Sequence, residues 1–154
     1  MTTIAYRDGV LVCDGQVTRN NTIIELNGRK WHVCKDGTCI AFAGDLMKFL
    51  PFIDWVEAGR NHDNVPSLKF NNDDSCQAIV MTDQAVYEYD KDGFHVLGDE
   101  YCAWGSGAYV ALTAMVLGMS AYEAVIVATK LDIYTGGTIN VMRRGHGHSI
   151  SQTG

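Results

Sequence analysis

The sequence of 154 residues contains no apolar run of the ~18 residues that a membrane-spanning helix needs. Its first residues also lack the charged and apolar regions of a secretory signal peptide, so a cytoplasmic protein is expected. Basic clusters are scarce: beyond Arg143 and Arg144 there is no cationic stretch, and the net charge is -6. That balance argues against a nucleic-acid surface. The five cysteines, Cys13, Cys34, Cys39, Cys76 and Cys102, are odd in number and show no CxxC spacing. They read as small buried hydrophobes, and neither a disulfide framework nor a zinc site is indicated. No linker or internal repeat divides the chain. One domain over residues 1–142 is expected, followed by a Gly-, His- and Ser-rich tail over 143–154 that should fray.

What is present describes a compact globular chain, with 47% apolar and 19% charged residues and length enough to bury a core. Short apolar runs at 3–7 and 10–13 flank Asp8-Gly9, a strong hairpin signal. Runs at 22–26 and 30–34 flank Asn27-Gly28 in the same way, and 38–43 follows a tight Asp36-Gly37 turn. From Asp45 the spacing becomes helical, through Leu46, Phe49, Leu50, Ile53 and Val56 or Trp55, with Pro51 inside and Gly59 placed to end it. Residues 60–75 are polar and read as a long surface loop, including Asn71-Asn72-Asp73-Asp74. Strands are then expected at 76–81, 85–89, 94–97 and 101–104. A mostly buried helix over 109–117 follows, then a second helix opened by the capping box Ser120-Ala121-Tyr122-Glu123. A last strand is expected at 138–142. Strands first, then a helix, more strands, two helices and a strand suggest an α+β layered fold.

Five motifs keep a common order and spacing: Thr2-Thr3-Ile4; Cys13-Asp14-Gly15-Gln16-Val17-Thr18; Ile40-Ala41-Phe42-Ala43-Gly44; Trp104-Gly105-Ser106-Gly107; and Leu131-Asp132-Ile133-Tyr134-Thr135-Gly136-Gly137. Together they resemble the proteasome β-subunit family of N-terminal nucleophile hydrolases, in particular its bacterial HslV-type threonine peptidases. The resemblance runs from Thr2 to about Met142. It implies a four-layer αββα sandwich, with one helix of the first helical layer missing or shortened because 60–75 is only a polar loop. It also implies a homo-oligomeric ring, stacked face to face as a double ring, that receives unfolded polypeptide from an AAA+ ATPase unfoldase. No cofactor, metal, nucleic acid or membrane is implied.

The resemblance assigns the nucleophile to Thr2 once Met1 is removed. An alcohol needs a base to take its proton, and a free α-amine with a pKa of about 8 is such a base at neutral pH. Lys30 and Asp14 fall on the family's active-site lysine and aspartate, Ser106 on a serine that assists proton transfer, and Asp132 and Thr135 on supporting positions, with Thr replacing the family's Ser. The backbone N–H of Ala41 falls where the family has a glycine oxyanion donor. Read singly, Thr2 and Thr3 are β-formers, Lys30 and Asp14 are turn-flanking charges, and Gly105-Ser106-Gly107 is a common turn. Two other functions fit the same motifs: a catalytically inactive ring subunit, and an amidase acting on small molecules. His32, His62 and His95 are scattered, and His146 and His148 lie in the tail, so no histidine is given a metal role.

Overall fold

The computed structural model describes residues 2–70 and 74–152. Met1, residues 71–73 of the polar loop and the last two tail residues lie outside that range. Strands β1 (Thr3–Arg7) and β2 (Val10–Asp14) form the expected first hairpin. Both turn residues have positive φ, Asp8 at 51° and Gly9 at 77°, as a two-residue turn matched to strand twist requires. β3 (Val17–Arg19) pairs with β4 (Thr22–Glu25) across Asn20 and Asn21, also at positive φ. The expected hairpin around Asn27-Gly28 therefore does not form. Asn tolerates the left-handed region, so Asn20-Asn21 already supplies a turn and uses β4 for it. Gly28 is instead wedged into the connection: its N–H donates to the Gly15 carbonyl at 2.7 Å, and a Cβ there would collide with Val17.

Next come β5 (Trp31–Val33) and β6 (Cys39–Ala43), joined through the Asp36-Gly37 turn. A 3-10 turn leads into α1 (Phe49–Glu57). Pro51 lies in its first turn, where a missing N–H has no helical acceptor to lose, so the helix runs on unbroken. Gly59 ends it at φ 107°. The short strands β7 (Lys69–Phe70) and β8 (Asp74–Ser75) form a ribbon, and β9 (Gln77–Met81), β10 (Val86–Asp90) and β11 (Gly93–Val96) form a meander. β12 (Tyr101–Gly105) leads to α2 (Ala108–Val116) and α3 (Ala121–Leu131). The reciprocal Ser120–Glu123 capping box is formed. β13 (Thr138–Arg143) and β14 (Gly147–Gln152) complete the chain.

One five-stranded sheet has the order β12-β1-β2-β13-β14 and the other β11-β10-β9-β6-β5. Alternation along each strand sends side chains to two faces. Ile4, Tyr6, Leu11, Cys13 and Met142 of the first sheet meet Cys39, Ala41, Ile79 and Met81 of the second in one buried cluster. The opposite face of the first sheet, with Ala5, Val12, Ile139 and Val141, packs on α2 and α3 through Ala111, Ala114, Ala124 and Val125. On the second sheet Ile40, Phe42, Val80 and Tyr89 pack on α1 through Phe49, Phe52, Trp55 and Val56. Phe42 and Phe49 stack at 4.8 Å between centroids.

Three expectations are corrected. The four-layer αββα sandwich is not what the chain forms: it is mostly β, built on two five-stranded sheets and two small ribbons, with short helices of nine, nine and eleven residues. The shortening expected at residues 60–75 does occur, as a 3-10 turn at His62–Asn64 and the β7–β8 ribbon. The physical reason for the difference is helix length: α1, nine residues and about 14 Å long, lies over a five-stranded sheet about 19 Å across and does not build a helical layer. Residues 143–152 are not the loose tail expected: β14 pairs along the whole of β13 as an edge strand. Helix α2 is only partly buried: Ala111, Ala114 and Met115 face the sheet, while Tyr109 is 87% exposed and Val116 and Leu117 are exposed with it. An all-round apolar helix carries no sequence mark of which side is covered.

Candidate functional site

β1 begins at the end of the first sheet where β12, β2 and the segment before β13 also finish, so Thr2, Asp14, Ser106 and Thr135 converge. Lys30 arrives from the start of β5, and its carbonyl is fixed by the Phe42 N–H at 2.9 Å. The Lys30 Nζ donates to Thr2 Oγ1 at 2.7 Å, to Asp14 Oδ1 at 3.1 Å and to the Gln16 carbonyl at 2.5 Å. All three side chains are almost closed to solvent, Thr2 at 2%, Lys30 at 3% and Asp14 at 0% exposure.

A buried carboxylate needs hydrogen-bond partners. Asp14 has three: beside Lys30, Oδ1 accepts from the Thr3 N–H at 3.1 Å and Oδ2 from the Gly136 N–H at 3.0 Å. Burial still pushes its carboxyl above the usual carboxylate range, against the downward pull of Lys30 and of the Gly136 and Thr3 amides.

A second network supports Thr2 from behind. The Ser106 N–H donates to the Thr2 carbonyl at 2.8 Å, and the Ser106 hydroxyl donates to Asp132 Oδ2 at 2.6 Å. Thr135 Oγ1 also donates to Asp132 Oδ2 at 2.6 Å, which uses its proton; the Thr3 hydroxyl, 2.7 Å away, is therefore the donor to Thr135. Burial raises the Asp132 carboxyl, but the Ser106 and Thr135 hydroxyls and the Tyr134 N–H outweigh it and leave it below its ordinary value.

Glycines make room for these contacts. Gly105 sits at φ 94°, and a Cβ there would strike the Thr2 carbonyl. A Cβ on Gly107 would meet the Thr3 hydroxyl.

Of the residues selected from sequence, Thr2, Asp14 and Lys30 form one contact set, and Ser106, Asp132 and Thr135 form the adjoining one. Ala41 does not join them through its amide. Adjacent residues on an antiparallel strand send their N–H groups to opposite neighbours, and Phe42 donates toward Lys30. The Ala41 N–H thus points to β9, where Ala41 stands opposite Ile79. Two contributors escaped the sequence reading: Thr3, whose hydroxyl tops the Thr135–Asp132 chain, and Gln16, whose carbonyl holds Lys30. Strand alternation signals Thr3, since successive residues face opposite sides; a backbone carbonyl leaves no sequence signal.

Chemically, the set pairs a hydroxyl with an amine-bearing side chain in a water-poor place. An N–H aimed at an oxygen there stabilises charge that develops on it. No protein-family model matches this chain, and no curated protein sequence does.

Proposed function

We propose that the chain is a threonine peptidase of the proteasome β-subunit type, with Thr2 as nucleophile after removal of Met1. One observation carries the reading: the 2.7 Å contact of Lys30 Nζ with Thr2 Oγ1, in a lysine that Asp14 anchors from the other side. Removing Met1 leaves Thr2 with both a hydroxyl and a free α-amine. The amine takes the hydroxyl proton, through a water, as Oγ1 attacks the peptide carbonyl. Lys30 stabilises the oxygen as it loses its proton, and Asp14 holds Lys30. The leaving amine departs with a proton, an acyl ester remains on Thr2, and a water hydrolyses it. Ser106 and Asp132 fix the Thr2 backbone, so that hydroxyl and amine stay in register.

By the same resemblance the protein works as a homo-oligomeric ring, stacked as a double ring and fed unfolded polypeptide by an AAA+ ATPase, and the lack of an apolar spanning helix among the described residues suits work in the cytoplasm. The 2% exposure of Thr2 favours a second reading, a ring subunit without catalysis. Hydrolysis of fluorogenic peptides by protein lacking Met1 separates the two: turnover lost in Thr2→Ala supports the peptidase, whereas none in the parent chain overturns it. Turnover of small amides in preference to peptides would move the substrate class to an amidase.

A further inference from the structure

His32 and Cys34 stand two residues apart at β5, so their side chains share a face. It is the face that α1 covers, because His32 lies opposite Ile40, whose side chain packs against that helix. Glu57, the last residue of α1, closes over them. One ligand atom from each of His32, Cys34 and Glu57 lies within 4.8 Å of the others. His32 Nε2 is 3.4 Å from Glu57 Oε2. An imidazole nitrogen and a carboxylate oxygen, each about 2.1 Å from a tetrahedral zinc ion, are themselves about 3.4 Å apart.

The carboxylate is already aimed. Glu57 Oε1 accepts the Lys35 backbone N–H at 3.1 Å, which turns Oε2 toward His32, and such anchoring of ligands typifies built metal sites. We propose that His32, Cys34 and Glu57 bind a divalent cation of the zinc class, with water in the fourth position. Imidazole, thiolate and carboxylate together suit a borderline-soft ion and not calcium or magnesium.

Binding breaks the Cys34 S–H bond, forms a sulfur–metal bond and releases the proton to solvent. Arg29 is the opposing charge. Its Nη2 lies 3.5 Å from His32 Nδ1, and a metal on Nε2 leaves the proton on Nδ1. The exposed guanidinium, which also stacks on Trp31, turns away on binding. The bound cation ties β5 to the end of α1, two residues along the chain from Lys30.

Titration of the reduced full chain with cobalt(II), a spectroscopic stand-in for zinc, tests the site. One equivalent is expected to bind with a near-ultraviolet thiolate-to-cobalt charge-transfer band, and zinc should displace it. Cys34→Ser is expected to abolish the band, and Glu57→Gln and His32→Gln to weaken binding about tenfold or more. Because Cys34 is buried, circular dichroism checks that its variant is folded, and the partly exposed Glu57 gives an independent variant. The proposal is overturned if excess cobalt gives the parent chain no charge-transfer band. It is equally overturned if the band survives Cys34→Ser, which would put the ion on other cysteines or on His146 and His148, or if Glu57→Gln binds as the parent does.

Discussion

Lys30 and Thr2, 28 positions apart in sequence, meet as a donor and acceptor 2.7 Å apart, and the lysine is held there by Asp14 and the Gln16 carbonyl. Because the ammonium is buried against a buried carboxylate, it acts on chemistry and on stability at once. Lys30→Ala should lower peptide turnover by about 10²-fold or more, the scale for loss of one positioned donor. It should also destabilise the fold by about 3–5 kcal/mol, since the buried Asp14 loses its charge partner and keeps only the Thr3 and Gly136 amides. Turnover and urea unfolding on the same sample measure both effects; a stable, fully active variant would contradict the site as described.

Thr135 joins the Thr3 hydroxyl to Asp132. Thr135→Ser keeps the oxygen and is expected to be close to the parent in stability. Thr135→Val keeps the shape but leaves the buried Thr3 hydroxyl without an acceptor, at a cost of about 1–3 kcal/mol. Denaturation midpoints of the two variants make the comparison, and equal midpoints would show that the network contributes nothing.

Gly105 combines a left-handed φ with contact to the Thr2 carbonyl. Gly105→Ala is expected to cost about 1–3 kcal/mol from backbone strain. It should also reduce turnover, by moving Thr2 off Lys30. By contrast Gly118, at φ 100° with open space around it, should show the strain alone when changed to Ala. A loss of turnover at Gly118 equal to that at Gly105 would remove the positional explanation.

Asp132 and Asp14 titrate in opposite senses. The folded value of Asp132 is depressed, so its stabilisation is present above the unfolded value of about 3.9 and is lost as pH falls through the folded value. The folded value of Asp14 is raised, so the folded state binds its proton more tightly, and stability falls as pH rises from the unfolded toward the folded value. Unfolding midpoints across the acid range should therefore decline less steeply in Asp132→Asn than in the parent. A steeper decline in the variant would reverse the assigned sign.

Much of the strand order could be read from the sequence because Asp8-Gly9 and Asp36-Gly37 mark turns between apolar runs. The Asn27-Gly28 signal misled because Asn20-Asn21, a weaker pair, took the same strand first. The tail was misread for a related reason: Gly147, His148 and Ser149 have poor strand propensity, yet the open edge of β13 supplies a ladder that overrides it. In the candidate site, side chains were legible and backbone roles were not. Thr2, Asp14 and Lys30 do come together, but the direction of the Ala41 amide depends on strand register, which a motif does not encode. The His32–Cys34–Glu57 cluster was missed because Glu57 lies on a helix 23 positions beyond Cys34, and only sheet-on-helix packing unites them.

The most direct test of the threonine assignment is the intact mass of the purified protein before and after exposure to a threonine-directed peptide epoxyketone. The expected result is a chain lighter by one methionine that gains a single adduct, with no adduct on Thr2→Ala. A chain that keeps Met1 and gains no adduct, or an adduct that persists in Thr2→Ala, would contradict the proposal that Thr2 is the nucleophile.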